Sequence, residues 1–252
     1  MKSDIGRYPY PRRHIVRFII KNVARLAFAS LTRLEVIGRE NFPQQGPVLV
    51  VANHFHFADP AVVMRVLPRQ IEFLGGGQGH MPNAPLVVQW LPLIWGSYPV
   101  TRGGVSRDAM RAAAAVFQQE GVVGIFPEAG SWATVLRPAR PGTAFLATMN
   151  QVPLVPIGIH GMPNLFPAVR QRKRATVTIR IGKPFGPFHV VEKGVAKRKR
   201  LDDIGTEIMH HIATLIPPEY HGYYSTDPVL RKAAERVSEY PWDMAQSNSP
   251  NS

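Results

Sequence analysis

Short, continuous apolar runs alternate with helical stretches from about residue 40 onward, and this alternation restricts the fold more than any other feature of the sequence. The run GPVLVVAN follows a Gly-Pro turn and is typical of a strand that is buried on both faces. Runs of the same type are IEFLG, GSYPVTR, GVVGIFPE, VPLVPIGIHG and ATVTIRIGKPF. Helical stretches between and after them are RDAMRAAAAVFQQEG, PGTAFLATMNQ and LDDIGTEIMHHIATLIPPEY. We therefore expect an α/β fold with a mixed, largely parallel sheet flanked by helices.

The length of the chain and its lack of a linker favour a single domain. The chain has 252 residues, of which 45% are apolar, so it can bury a sizeable core without cross-links. We place the domain at residues 41–224. An amphipathic, membrane-facing helical segment at 1–40 is expected before it, and a C-terminal helix with a disordered tail at 225–252 after it.

Positive charge is concentrated in two zones of the sequence. The net charge is +13, with eight basic and one acidic residue in 1–33, and eleven basic and one acidic residue in 170–200. Such zones attract nucleic acid, anionic membranes or phosphate-bearing small molecules. The chain has no cysteine, which excludes cysteine nucleophiles, thiolate zinc sites and disulfides. It also gives weak support for a reducing compartment, and hence for the cytoplasmic side of a membrane.

Residues 12–29 predict an amphipathic helix rather than a membrane-spanning one. Its basic residues recur every fourth position, and its apolar residues fall on the other face; they are Arg13, Arg17, Lys21 and Arg25 against Ile15, Ile19, Val23 and Leu26. The sequence has no uninterrupted apolar run of about 18 residues, as a membrane-spanning helix would need. Two interpretations stay open: a helix that lies in the membrane interface with its basic residues near anionic lipid, or a helix packed on the domain's own core.

Polar side chains follow three of the predicted strands. The stretch from Asn53 to Asp59 follows VLVVA, Arg102 follows SYPV and Glu128 follows GIFP. In open α/β sheets ligands bind beyond the carboxyl ends of the strands, so one pocket could hold all three.

The stretch NHFHFADP allows two kinds of chemistry. His54 and His56 would share one face of an extended chain, as in metal hydrolases, although Ala58 stands where a common dinuclear pattern has Asp. Alternatively, His54 takes a proton from an alcohol while Asp59 fixes its tautomer. Five residues separate this pair, so a turn must bring them together. A helix that begins near Asp59 and Pro60 would provide that turn.

Four blocks in order resemble the glycerolipid acyltransferases typified by lysophosphatidate acyltransferase. NHFHFADP resembles the Asn-His-x4-Asp-Pro signature, GSYPVTRGG the second block, GIFPEAGSW the Phe-Pro-Glu-Gly block and VPLVPIGIHG the Val-Pro block. IPPEYHG also resembles a later segment of the family, so the resemblance extends from about residue 12 to about residue 224.

The resemblance implies roles for individual residues. It implies that His54 is the general base and Asp59 its partner. It also implies that Arg102 binds an anionic head group of the acceptor. Glu128 would shape the acceptor and thioester site, and Pro156 would line the acyl pocket; the residues expected around Glu128 are Phe126, Pro127 and Gly130. His56 falls at a variable position of the signature and is expected to be structural.

The third block departs from the family. Ala129 replaces the first glycine, and the arginine that usually assists phosphate binding is missing, so that Arg137 or Arg140 would have to substitute for it. Trp132 instead suggests a bulkier or less charged acceptor.

The resemblance implies transfer of a fatty acyl group from acyl-CoA or acyl-carrier protein to a hydroxyl of a lysophospholipid such as 1-acylglycerol-3-phosphate. No cofactor or metal is expected, and the expected partners are an anionic membrane surface and these substrates, not nucleic acid. We expect a peripheral protein on the cytoplasmic face of the cell membrane. The alternatives are an acyltransferase for another lysolipid or a glycolipid, a metal-dependent hydrolase using His54 and His56, and a nucleic-acid or anionic-lipid binding protein on an inactive enzyme fold.

Overall fold

The computed structural model describes residues 2–75, 89–100 and 106–238. Within these ranges the sheet has six strands: β1 Thr32–Ile37, β2 Val48–Ala52, β3 Ile71–Phe73, β4 Val122–Ile125, β5 Leu154–His160 and β6 Ala175–Ile181. The described helices are α1 Lys2–Arg7, α2 His14–Leu31, α3 Asp59–Val66, α4 Leu91–Trp95, α5 Arg107–Gln118, α6 Pro141–Asn150, α7 Leu165–Arg170, α8 Gly194–Ala213 and α9 Pro228–Ser238.

The strands are ordered β1-β6-β5-β2-β4-β3 across the sheet. β3, β4, β2 and β5 run parallel to one another, β6 is antiparallel to β5, and β1 is parallel to β6. The prediction of a mixed, largely parallel sheet flanked by helices is confirmed.

The core lies on both faces of the sheet because β2 is buried on both. Its residues Val48 and Val50 belong to the apolar cluster shared with α2 and α3, whereas Leu49 and Val51 belong to the cluster shared with α5, α6 and α8. The uninterrupted apolar run VLVVA follows from this two-sided burial, and all five residues are buried.

Two predicted elements differ in the structure. GSYPVTR is not a strand in its described part, where Tyr98 makes only an isolated bridge to Leu74. The last long helix, α8, begins at Gly194, earlier than the predicted stretch. Its added first turns are rich in Lys and Arg, which favour helix without needing burial.

Helix α2 lies on the domain with its basic face inward. Arg17 is buried and pairs with Glu72 of β3, Lys21 donates to the carbonyl of Leu67 at 2.8 Å, and Arg13 donates to the carbonyls of two residues of α4. The interpretation that the helix packs on the domain is therefore confirmed. Contact of the segment with anionic lipid stays a prediction, and Arg17 and Lys21 contribute less to it because protein groups bind them.

The apolar face of α2 points to solvent instead. Phe18 and Leu26 are each 70% exposed, and the other exposed apolar residues of this face are Ile15, Ile19 and Val23. In the described residues, no helix combines the length and apolar character that crossing a bilayer requires.

Candidate active site

The carboxyl ends of β2, β4 and β5 meet at one edge of the sheet, because the three strands are parallel neighbours. Asn53, which directly follows β2, is fully buried. Its side chain accepts the Ile159 N–H at 2.7 Å and donates to the Ile159 carbonyl at 2.9 Å. The two bonds fix the end of β2 against β5 and so define where the next residue, His54, starts.

A tight turn between β2 and α3 brings His54 and Asp59 together. The His54 Nδ1 atom lies 3.1 Å from Asp59 Oδ2, and the same oxygen accepts the N–H groups of Phe55 and His56 at 2.8 Å each. Asp59 opens α3, with Pro60 in the first turn, as the sequence predicts. The carboxylate thus holds the imidazole and the turn that carries it.

The contact with Asp59 determines which nitrogen of His54 can act as a base. A carboxylate only accepts hydrogen bonds, so Nδ1 carries the proton and Nε2 keeps its lone pair. The ring stacks on Phe126 at a centroid distance of 4.4 Å and an angle of 26°. The His54 side chain is 15% exposed and Asp59 is fully buried, so the pair presents the imidazole, not the carboxylate, to a substrate.

Glu128 supports the same turn from the opposite side. It follows β4 and is fully buried. Its Oε2 accepts the His54 N–H at 2.7 Å, and its Oε1 accepts the Arg137 N–H at 3.2 Å. Burial raises the pKa of Glu128 to about 7, although the charge of Arg137 and the two N–H groups act to lower it.

Arg137, proposed from sequence as a substitute phosphate ligand, faces into the protein. Only 1% of its side chain is exposed. Its guanidinium carbon lies 3.6 Å from the centre of the Trp132 ring, its Nε lies 3.6 Å from Glu128 Oε1, and its Nη2 donates to the Gly130 carbonyl. Sequence spacing placed Arg137 near the site but gave no sign that it would pair with Glu128.

Ala129 occupies a backbone conformation that suits glycine better. Its φ is 57°, in the left-handed region, where a Cβ atom is unfavourable. The glycine of the family pattern has a physical reason at this position, and the chain tolerates alanine there.

The other predicted residues lie at different depths. Pro127 is buried, and its carbonyl accepts the Arg140 N–H at 2.9 Å. Gly130 and Phe126 are half-buried beside Glu128. Pro156 is buried within β5, where it pairs with Val51, so a role in an acyl pocket stays a prediction. Arg102 lies outside the described residues.

His56 makes contacts that suit a structural residue. Its Nδ1 accepts the Ala58 N–H at 3.3 Å, and its ring lies 4.3 Å from Phe57 and 5.6 Å from Phe166 between centroids. Burial lowers the pKa of His56, partly opposed by Asp59. Among residues 2–75, 89–100 and 106–238, no three histidine, aspartate or glutamate side chains are grouped to hold a metal ion.

A C-terminal segment beside the site received no role from the sequence. Tyr220 lies 4.8 Å from His160 and 6.3 Å from Phe55 between ring centroids. Its carbonyl accepts the Leu136 N–H at 2.9 Å, and the Leu136 carbonyl accepts the Tyr223 N–H at 3.0 Å. In the sequence, only the resemblance of IPPEYHG to the family indicated that this C-terminal segment belongs to the domain.

Comparisons with known proteins agree with this architecture. A family model described as Acyltransferase matches residues 33–160. Among solved structures, the chain is similar to the 1-acyl-sn-glycerophosphate (LPA) acyltransferase PlsC from Thermotoga maritima, with a TM-score of 0.53 and 20% identity over 82% of this chain and 86% of that one. No curated protein matches the chain.

Proposed function

The chain belongs to the acyltransferase family, and we propose that it moves a fatty acyl group from a thioester to a hydroxyl of a lysophospholipid. The donor is acyl-CoA or acyl-carrier protein, and the favoured acceptor is 1-acylglycerol-3-phosphate. The observation that carries the proposal is the 3.1 Å contact between His54 Nδ1 and the buried carboxylate of Asp59, because it leaves Nε2 as a proton acceptor at the edge of the sheet.

The proposed reaction is direct attack of the acceptor on the donor. Nε2 of His54 removes the proton of the acceptor hydroxyl while its oxygen bonds to the thioester carbon. The carbon–sulfur bond then breaks, and the imidazolium returns the proton to the departing thiolate. Asp59 stays ionised and stabilises the imidazolium. General base help accelerates such a step by roughly 10²- to 10⁴-fold, so the positioning of two substrates must supply much of the rest.

The negative charge that develops on the carbonyl oxygen requires N–H donors nearby. We propose the backbone around Gly130 for this role, since it follows Glu128 in the loop beside His54. Phe126 and Pro127 would shape the same wall, and Pro156 would line the acyl chain from the neighbouring strand. Preorganised donors of this kind act most strongly where water is excluded.

The acceptor's head group must be bound by an arginine other than Arg137. The Arg137 side chain is buried against Glu128 and Trp132, away from solvent. Arg140, which is half-buried, and Arg102 are the candidates for a phosphate ligand. Because the third block has lost the usual arginine, a lysolipid or glycolipid without a terminal phosphate is the alternative acceptor.

The exposed apolar face of α2 supports action at a membrane surface. Leu93 of α4 is 64% exposed and Trp90 is 61% exposed. Arg13, at the start of α2, donates to two carbonyls of α4, so the two helices are joined. We call the exposed apolar side chains of α2 and α4 the α2–α4 surface. A joined apolar surface of this kind is characteristic of a membrane contact, and it would bring the site near its lipid substrates.

The first turns of α8 offer a site for the donor's negative charge. Lys197, Arg198 and Lys199 are exposed there, and the helix has no acidic residue in its first turn. Phosphates of acyl-CoA or the acidic surface of a carrier protein would interact favourably with this cluster.

Acyl transfer tests the proposal. The full chain is incubated with radiolabelled lysolipids and with palmitoyl-CoA or palmitoyl-carrier protein, and both the acylated lipid and the free thiol are measured. We expect release of thiol that depends on a lysolipid, and we expect Asp59→Asn to remove it while the far-ultraviolet circular dichroism stays unchanged. Full activity in Asp59→Asn, or thiol release with no lipid product in any arm, would reject the proposal.

Sedimentation with lipid vesicles tests the membrane contact separately. Phe18→Asp with Leu26→Asp should reduce binding to phosphatidylglycerol–phosphatidylcholine vesicles, because both side chains lie on the α2–α4 surface. Arg25→Gln should weaken binding less, and mainly at low salt. Unchanged binding of the double variant would exclude this surface.

A further inference from the structure

Behind the turn that carries His54 lies a buried arginine that the proposed reaction does not use. Arg137 contacts the Trp132 ring, the Gly130 carbonyl and the Glu128 carboxylate. Glu128 in turn accepts the backbone N–H of His54 at 2.7 Å. A series of contacts therefore runs from Trp132 through Arg137 and Glu128 to the backbone of His54.

We propose that Arg137 is a positioning residue of this active site: placed between Trp132 and Glu128, its guanidinium favours the charged carboxylate and holds it in place on the His54 backbone. The proposal rests on the proposed role of His54 as the base. Arg137 touches no reacting atom, and it acts only through Glu128.

The electrostatic surroundings show why Glu128 needs this partner. Among the described residues, the groups that face it include the N–H of His54 after β2, Asp59 at the start of α3, Arg137 ahead of α6 and Tyr224 after α8. Burial and Asp59 both raise its pKa, and Arg137 opposes them. A protonated carboxyl would carry hydrogen on one oxygen and could no longer accept both N–H groups equally well. Losing the guanidinium should therefore loosen the His54 turn at neutral pH.

The guanidinium of Arg137 packs on the ring of Trp132, and Trp132 is in turn hydrogen-bonded to helix α9. The indole Nε1 donates to the Val237 carbonyl at 3.1 Å, near the end of α9. The attraction between an arginine and an aromatic ring face is stronger when the pair is removed from water. Replacing Trp132 by Leu removes the ring face, whereas Trp132→Phe removes only the bond to α9.

The chain contains a matched control for Arg137. Arg17 is 3% exposed, lies 4.7 Å from the Trp95 ring centre and pairs with buried Glu72. That cluster lies between α2 and β3, and within the described part of the chain no hydrogen bond or ion pair joins it to His54. Arg17→Gln should therefore reproduce the loss of a buried arginine without the loss of positioning.

The test measures the ionisation of Glu128 without substrate. The chemical shift of the His54 backbone amide proton, which bonds to Glu128, is followed by NMR from pH 5 to pH 9.5 in the wild type and in Arg137→Gln, Arg137→Lys and Arg17→Gln. The pH dependence of kcat/KM for thiol release is measured on the same proteins. His54→Ala is included in the activity assay as the control for the proposed base.

We expect Arg137→Gln to raise the midpoint of the amide titration by about one pH unit or more and to lower kcat/KM by about fivefold or more at pH 7, with recovery at higher pH. Arg137→Lys keeps the charge and should restore both values towards the wild type. Arg17→Gln should leave both the midpoint of the amide titration and kcat/KM at their wild-type values.

An unmoved midpoint in Arg137→Gln, or a loss of activity by the same factor at every pH, would overturn the proposal. If Arg137→Gln does not fold, Trp132→Leu decides: a raised midpoint supports the proposal, and a midpoint equal to that of Trp132→Phe overturns it. Activity in His54→Ala would instead refute the proposed function, whatever the amide titration shows.

Discussion

The structure has two buried arginine–glutamate clusters, and the carboxylate of each binds different groups. In the cluster between α2 and β3, Glu72 accepts hydrogen bonds from Arg12 at 3.0 Å and Arg17 at 2.7 Å on one oxygen, and from Arg17 again on the other. In the cluster beside the site, Glu128 uses one oxygen for the backbone of His54 and the other for the backbone of Arg137.

The difference lies in what the carboxylate holds. Glu72 binds two guanidinium groups and so fastens the N-terminal segment to the sheet. Glu128 binds the turn of the proposed base and faces one arginine across 3.6 Å, which leaves its pKa raised to about 7 by burial. We call Arg12, Arg17 and Glu72 the attachment cluster, because guanidinium groups bind both oxygens of its carboxylate. We call Arg137 and Glu128 the positioning cluster, because the oxygens of its carboxylate also accept backbone N–H groups.

Removing the attachment cluster should cost the most stability. Glu72→Leu leaves Arg12 and Arg17 without their carboxylate, and breaking a buried pair in this way costs about 3–5 kcal/mol. Urea denaturation of the variant and the wild type measures the change. The exposed carboxylate variant Glu40→Gln is the control, and an equal loss in both would contradict the role of Glu72.

The positioning cluster should appear in the pH dependence of stability. Since the folded pKa of Glu128 is about 7, the folded state holds a proton that the unfolded chain releases at lower pH. Protonation of Glu128 therefore adds to the free energy of unfolding. This addition is present in full below the unfolded pKa and is lost as the pH rises through the folded pKa, a change of about 3 kcal/mol. Glu128→Gln should remove this slope when unfolding is measured at pH values from 4 to 8. Parallel curves for the two proteins would show that Glu128 does not titrate in this range.

The two clusters should separate most clearly in activity. Glu128→Gln places an amide NH2 where an N–H donor must be accepted, so one buried donor loses its partner. The cost is about 1–3 kcal/mol, or about 5- to 150-fold in kcat/KM if it is felt in full in the transition state. Glu72→Gln should leave kcat/KM near the wild-type value under conditions where it is folded. Equal losses of activity in the two variants would remove the distinction between them.

A smaller effect is expected from the strained residue beside Glu128. Ala129→Gly relieves the left-handed backbone but makes the unfolded chain more flexible, for a net gain of about 0.5 kcal/mol. Glu120, with a φ of 56°, provides a matched position away from the site. Thermal unfolding should place both glycine variants slightly above the wild type, and a marked loss for Ala129→Gly alone would show that its methyl group packs.

The contact between His54 and Asp59 could be predicted because its geometry is local. Pro60 favours the start of a helix, Asp59 precedes it, and the preceding apolar run ends one residue before Asn53, so the turn follows from neighbouring residues. The sheet could also be predicted from neighbouring residues, because a strand that is buried on both faces has a continuous apolar run.

The two arginine clusters could not be predicted because they depend on contacts between distant residues. The helical periodicity of α2 identified its two faces, but only the partner shows which face packs inward. Glu72 within the apolar run IEFLG was the available signal, because a lone carboxylate in a buried strand requires a cation. Arg137 lies nine residues beyond Glu128 in an irregular loop, where no periodicity reports direction.

The central claim is that the imidazole of His54 is the base, and its neighbour His56 provides the most direct comparison. Asparagine retains a group at the Nδ1 position of either histidine but has nothing at Nε2. We predict that His54→Asn lowers lysolipid-dependent thiol release by at least about 10²-fold and that His56→Asn keeps most of it. Comparable activity in both variants, or comparable loss in both together with restoration by added zinc, would contradict the account.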